Sequence, residues 1–342
     1  MRVALVEFNT WHGECLTPQL AYMEARGIDA TLICPRKTAQ AIDPTTMAGV
    51  RHIECAEKKG ARNVWEAWRA IVSAGLDLVV LNTAQGSEAL KLSLLPFPKS
   101  LRFAGLIHDL RKLTSSTGQR LICRRMSGYL VAARYLTGNF PLRRPVEYFS
   151  PLPARPDRPC AGPTKAAGET WVVVPGNVER KRRNYAALPR LAQELAGSGI
   201  RIVVLGNIGK GDGPWLRGLV HSAGLDAMFV FFDQFIPEDV YDSYMRQCDY
   251  LLPLIDSDVP HAEDYTRFKT SGTFNLAKAY GKTMLCDNAL HRLKESGLPC
   301  LFYGDAAELR QHIERQETAA ATALDFEAEA TRYCSFLRRL AH

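Results

Sequence analysis

Short runs of consecutive apolar residues alternate along this chain with longer segments whose apolar positions recur every three or four residues. In the first half MRVALVEF, DATLIC, LDLVVLN, RFAGLIHD and GYLVAA read as strands, with PQLAYMEARG and NVWEAWRAIVSAG as helices between them. A strand that is apolar throughout has no solvent face, so it belongs in a sheet covered on both sides. Alternation with helices makes that sheet parallel. The pattern lapses in PLRRPVEYFSPLPARPDRPCAGPTKAA, which carries seven prolines and neither period, and which marks a linker and a domain boundary. Beyond it TWVVVPG, IRIVVLGN, MFVFFDQ, DYLLPLI and TMLCD resume as strands, with helices expected over 184–197, 213–223, 238–247 and 272–280. Pro189 cannot lie deep in a helix, so the first of these is expected to start near Leu188 or to bend there. DFEAEATRYCSFLRRLA closes the chain as an amphipathic helix outside the alternation.

The expected architecture is therefore α/β: two Rossmann-like doubly wound domains facing across a cleft, residues 1–150 and 151–325, followed by a C-terminal helix over 326–342. Ligands of such folds bind at the carboxyl ends of the strands. A chain of 342 residues, 46% of them hydrophobic, is long enough for two such cores. The nine cysteines show no CxxC pair and no disulfide-like spacing, MRVALVEFN lacks the length of a signal-peptide core, and no segment is apolar enough to span a bilayer. A cytoplasmic protein is expected, soluble or at the inner face of a membrane. The net charge of +7 favours anionic partners. Nucleic acid ranks low among them, because no platform of interleaved aromatic and basic residues is visible.

The strand ends hold the candidate chemistry. In VVVPGNVERKRRNYAAL a buried strand runs into a turn at Gly176, then into Arg180, Lys181, Arg182 and Arg183, with Asn184 placed to cap a helix. Guanidinium forks opposite a helix N-terminus can grip a phosphate, and a solvated basic loop is the plainer alternative. The stretch KTSGT before FNLAKAYG offers Lys269, the Ser271 and Thr273 hydroxyls and the amides about Gly272 to the same anion. Helix capping explains Ser271 and Thr273 equally well, but does not explain Lys269.

VEFNTWHGECL places His12, Gly13 and Glu14 beyond the first strand, and GLIHDLRK ends another strand in His108 and Asp109. Each of His12, Glu14, His108 and Asp109 could serve as a general base or orient a sugar hydroxyl, with a structural histidine and a helix-capping aspartate as the alternatives. Asp256-Ser257-Asp258 spells a DxD able to hold a divalent cation, although its place in a loop argues against that, and VLGNIGKGDG matches no nucleotide-loop spacing. GQRLICRRMSGYLVAARYL could lie on an anionic membrane or be an ordinary helix leading into a buried strand.

Taken together, VVVPGNVERKRRNY, IRIVVLGN, LVHSAGLDAMFVFFDQFIPEDVYDSYMRQCDYLLPLI and SGTFNLAKAYGKTMLCD resemble the donor-binding lobe of GT-B glycosyltransferases, nearest to the family-4-like group, and GLIHDL is similar to that family's His-Asp element. The resemblance covers most of residues 170–290. It implies a nucleotide-sugar donor held by the second lobe, a glycan or lipid-linked glycan acceptor on the first, and no obligatory metal. By position it implies Arg183, or its neighbours Arg180 and Lys181, on the donor diphosphate. Ser271, Gly272 and Thr273 would be phosphate contacts, and His108 the sugar-side residue. Gly13, Gly176, Asn207, Ile236 and Lys269 complete the implied donor site. Retaining members carry an E-x7-E pair about the last helix. Phe268 and Leu276 stand at those places here, so the resemblance carries no such pair. Two other functions fit the same fold: a sugar-nucleotide epimerase, and a binding subunit without catalysis.

Overall fold

The computed structural model describes residues 1–342 apart from 10–12, 59, 153–161, 198 and 322–323. The chain forms two compact units. The first comprises Met1–Pro153, Arg267–Thr270 and Asp325–His342, and the second Ala154–Thr266 and Ser271–Leu324.

Among the described residues of the first unit, seven parallel strands form one sheet: β1 (Arg2–Val6), β2 (Asp29–Cys34), β3 (Arg51–Glu54), β4 (Leu78–Leu81), β5 (Arg102–Ile107), β6 (Gly128–Val131) and β7 (Val146–Tyr148). Their order is β3-β2-β1-β4-β5-β6-β7. Side chains of a strand alternate between faces, and here both faces are covered: Val3 and Leu5 enter one core, Ala4 and Val6 the other. β7 lies inside the stretch read as a linker, and β3 was not foreseen. Both are edge strands whose residues are only partly buried, so neither carries the continuous apolar run that marks β1 or β4.

The second unit has a six-stranded parallel sheet of β8 (Thr170–Pro175), β9 (Ile200–Asn207), β10 (Phe229–Phe232), β11 (Tyr250–Leu251), β12 (Thr283–Asp287) and β13 (Cys300–Tyr303), in the order β10-β9-β8-β11-β12-β13. β13 was likewise missed at the sheet's edge. The helix expected over 184–197 occupies only Leu188–Glu194, with Pro189 in its first turn, where a missing N–H costs nothing.

The terminal helix Phe326–Ala341 belongs to the first unit. Ala330, Tyr333, Cys334, Leu337 and Leu340 recur at helical spacing and pack into the core shared with the helix Leu16–Ala25. Around that seam Tyr333 donates to Gln19 Oε1 at 3.0 Å, Arg26 pairs with Glu327, and the Ser150 amide donates to the Glu329 carboxylate at 3.0 Å. Gly128 in β6 is there for space, since a Cβ would come within 2.8 Å of Leu340. The helix is thus a structural layer of the first unit. Leu337→Ala is expected to cost about 2–5 kcal/mol. In hydrogen exchange, protection should fall in β1 and the Leu16–Ala25 helix while β8 and β9 keep theirs.

Candidate active site

In the second unit the chain leaves β8 through Gly176 at φ +96°, a conformation that favours glycine. Gly206 of β9 lies against it, because a Cβ there would fall 2.1 Å from the Gly176 carbonyl oxygen. The loop then brings Arg183 back to the strand end. Its Nη1 donates to the Pro175 carbonyl at 2.6 Å and its Nη2 to Thr273 Oγ1 at 3.0 Å, in the first turn of the helix Gly272–Tyr280. Both acceptors are neutral. Among the described residues no carboxylate pairs with Arg183, so its charge adds to the positive end of that helix without being cancelled.

The other cations of the run are spent differently. Arg182 pairs with Glu179 at 2.9 Å, and the Arg180 guanidinium lies over the Trp215 ring at 4.2 Å while its amide donates to Asp212. Lys181 is exposed. Ser271 is the N-cap of the Gly272–Tyr280 helix and accepts from the Thr273 amide at 3.3 Å, so the capping role is real. A Cβ on Gly272 would meet nothing within 4 Å, and the protein's own packing does not require glycine at that helix start.

Asn207 accepts from the Gly209 amide at 2.9 Å and turns the chain after β9, and Ile236 is buried just before the helix Glu238–Gln247. Asp256 and Asp258 both accept from the Asn184 side chain. Burial and the charges of these two carboxylates push the nearby Asp287 carboxyl above its usual range. Among the described residues no group of three or more His, Cys, Asp or Glu is placed to hold a metal ion.

In the first unit a buried carboxylate organises the strand ends. Glu7, next after β1, accepts from the Asn9 amide (2.7 Å) and side chain (2.8 Å) on Oε1, and from Asn82 Nδ2 and Thr83 Oγ1 (both 2.7 Å) on Oε2. Four donors satisfy the buried carboxyl oxygens. Asn82 extends the network: its Oδ1 accepts from Gln19 at 2.7 Å, and its main-chain carbonyl accepts from His108 Nε2 at 2.9 Å. A carbonyl can only accept, so Nε2 carries a proton in this bond.

Asp109 caps the turn Leu110–Thr114 and takes three hydrogen bonds from Arg111, through its amide, Nε and Nη2. Burial raises the Asp109 pKa, but those bonds and the charges of Arg111 and Lys269 outweigh it, so the carboxyl titrates below the usual carboxylate range. A carboxylate held that way is a poor proton acceptor. Lys269 lies in the first unit, where its carbonyl accepts from Tyr135 at 3.2 Å. The chain therefore divides within KTSGT, and Ser271, Gly272 and Thr273 belong to the second unit. Gly13 and Glu14 form a short turn with Glu14 exposed, and His12 lies outside the described residues.

Beside this network opens a cavity of about 560 Å³, lined by Asn9, Thr83, Gln85, Glu88, Lys112, Ser116 and their neighbours. Gln85 Oε1 is buried there without a hydrogen-bond partner. In the basic amphipathic stretch Ile122, Met126, Tyr129 and Leu130 are buried in the core, Arg120 and Arg124 are exposed, and the Arg125 guanidinium stacks on Phe97 and Phe103 at 4.6 and 4.7 Å.

No family model and no curated protein matches the chain. Solved structures do. The Anabaena protein HepE, in complex with UDP and glucose, aligns over all of this chain and 98% of its own with a TM-score of 0.65 at 16% identity. Sucrose-phosphate synthase from Thermosynechococcus elongatus aligns over 100% and 95% with a TM-score of 0.58 at 14% identity. A UDP-N-acetylglucosamine 2-epimerase aligns over 96% and 93% with a TM-score of 0.58 at 10% identity. The chain has the GT-B fold. At these identities the likeness is one of fold alone.

Within this GT-B chain, the residues that sequence reasoning missed are Glu7, Gln19, Asn82, Thr83 and Gln85. A single acid closing the apolar run VALVE was the available signal for Glu7. Asp109 yields a pH test. Its folded pKa is depressed, so its contribution to stability is present above the ordinary aspartate pKa of about 3.9 and is lost as pH falls through the folded value. Asp109→Asn should melt below wild type at pH 7, and the two melting curves should converge in acid.

Proposed function

We propose that this protein is a glycosyltransferase that moves a sugar from a nucleotide-sugar donor to a glycan or lipid-linked glycan, in the synthesis of cell-surface polysaccharide or lipopolysaccharide. The observation that carries this reading is Arg183, an uncancelled guanidinium fastened by a carbonyl and a hydroxyl to the N-terminus of the Gly272–Tyr280 helix. That arrangement suits the diphosphate of a donor, whose negative charge grows as it leaves. The likeness to HepE, seen with UDP and glucose, supports a uridine diphosphate sugar.

Transfer breaks the bond from the anomeric carbon to the diphosphate oxygen and forms one to an acceptor oxygen, whose proton must go to a base. We assign that proton to the imidazole of His108, which the Asn82 carbonyl holds at the end of β5. The acceptor is assigned to the cavity of the first unit, where hydroxyl and amide side chains match the edge of a sugar. A hydroxyl donating to Gln85 Oε1 would relieve a buried acceptor that otherwise costs about 1–3 kcal/mol. In this reading Arg183 and the helix amides neutralise the leaving group, and chelation by EDTA leaves the rate unchanged.

An epimerase is the second reading, favoured by the alignment with a UDP-N-acetylglucosamine 2-epimerase. It predicts turnover of a free UDP-sugar with no acceptor present. A third, a binding subunit, predicts nucleotide binding with neither transfer nor donor hydrolysis.

The test is a thermal-shift panel of nucleoside diphosphates with and without EDTA. At a hundred times its Kd the right one stabilises the fold by about 2.7 kcal/mol. Arg183→Ala should abolish that shift, whereas Thr273→Val, which keeps the charge and removes one anchor, should weaken it. No shift with any diphosphate sinks the donor assignment.

A further inference from the structure

Asp256-Ser257-Asp258 has no part in the transfer described so far, yet both of its acids meet one side chain beside Arg183. Asn184 Nδ2 donates to Asp256 Oδ2 at 2.8 Å and to Asp258 Oδ2 at 3.3 Å. An amide nitrogen carries two protons and an ionised carboxylate only accepts, so this pairing fixes which way the Asn184 amide points. At its other end Asn184 Oδ1 accepts from the Ala187 amide at 3.3 Å, and the Asn184 main-chain N–H donates to the Leu254 carbonyl at 2.8 Å. One residue therefore ties the loop that leaves β8 to the loop that leaves β11 by three hydrogen bonds.

The loop it grips is itself firmly set. The Asp258 amide donates to Asp256 Oδ1 at 3.1 Å, which closes a turn about the two acids. Leu254 is buried and stands at φ +55°, a left-handed conformation that a residue with a Cβ keeps only where its surroundings hold it. On the far side of Asn184, Tyr185 is fully buried, with its amide donating to the Arg183 carbonyl at 3.0 Å and its hydroxyl to the Asn177 carbonyl at 3.2 Å. The main chain of Arg183 is thus held through residues 184 and 185, while its guanidinium is held at the Pro175 carbonyl and at Thr273.

We propose that Asn184 is a positioning residue for the anion site, and that Asp256 and Asp258 serve to hold its amide. The clasp fixes the point from which the Arg183 side chain reaches back to the strand end, so the guanidinium meets a diphosphate without first having to be ordered. The position selects an amide on electrostatic grounds. An aspartate there would face two like charges, and an apolar residue would leave both acids without this donor. The inference rests on the reading of Arg183 as the contact to the donor diphosphate.

The experiment is titration calorimetry of the full chain with UDP, in magnesium and in EDTA, alongside the melting temperature of each variant. Wild type is expected to bind equally in both buffers. Asn184→Asp should weaken UDP by about tenfold or more and Asn184→Ala by about threefold, whereas Asp256→Asn, which keeps an acceptor oxygen, should stay within about twofold. Combining Asn184→Asp with Asp256→Asn exchanges amide and carboxylate, and should return the Kd to within about threefold of wild type. Should Asn184→Asp fail to fold, Asn184→Ala and the exchanged pair carry the test. A purely structural role for Asn184 lowers melting temperature and leaves the Kd unchanged, which overturns the proposal. An exchanged pair no better than Asn184→Asp overturns the clasp. UDP binding that needs magnesium and is lost in Asp256→Asn makes the two acids a cation site, and overturns it as well. If wild type binds no UDP, the donor reading itself falls and takes this inference with it; if wild type binds and the Asn184 variants match it, the positioning role alone falls.

Discussion

A parallel sheet leaves its main chain satisfied everywhere except at its two ends, and it must be covered on both faces because its strands are apolar on both. The placement of the candidate site residues follows from that constraint. With Val3 and Leu5 committed to one core and Ala4 and Val6 to the other, polar side chains can gather only where the strands stop. Glu7 follows β1, Asn82 follows β4, His108 follows β5, and Gly176 follows β8. These residues crowd onto one edge of each sheet because the faces have no room for them.

Crowding polar groups at a buried edge creates a cost that the network about Glu7 removes. A carboxylate that is almost wholly buried would be severely destabilising by itself, yet here each oxygen accepts two hydrogen bonds. The chain Tyr333 to Gln19 to Asn82 to Glu7 ties the terminal helix to the ends of β1 and β4 through buried partners. Because Asn82 also holds His108, the orientation of that ring is set by the same bonds that satisfy the core. Stability and the orientation of a candidate base are, in this unit, the same set of contacts.

The sequence made the central strands visible because they are long apolar runs, and of the four edge strands only β10, read from MFVFFDQ, was visible. RHIE, VEY and CLFY are half-buried, so their patterns resemble those of loops, and VEY was further hidden by the prolines around it. Candidate site residues divide along a similar line. Arg183, Ser271 and Thr273 stood out as candidates because cations and hydroxyls stood at predicted strand and helix ends. Their bonding was not legible, since the partners are separated by about ninety positions in sequence. Gln19 was unreadable for a different reason: an amide in an amphipathic helix looks solvent-facing until the fold buries it. KTSGT reads in sequence as one site, and the fold divides the chain between two units within it.

What distinguishes Arg183 from Arg182 is the neutrality of its partners. A guanidinium paired with a carboxylate, as Arg182 is with Glu179, presents little net field to an incoming anion, because the two charges largely cancel beyond the pair. A guanidinium held by a carbonyl and a hydroxyl is just as well fixed in place and keeps its full charge. Fixing it also keeps low the conformational entropy that binding would otherwise have to overcome. Lysine could not replace it here. One ammonium lacks the planar fork that reaches the Pro175 carbonyl and the Thr273 hydroxyl together, so its charge would sit less firmly at the helix end. The position therefore selects arginine for its geometry and neutral partners for their lack of charge, and together these leave a fixed, unspent positive charge at the start of a helix.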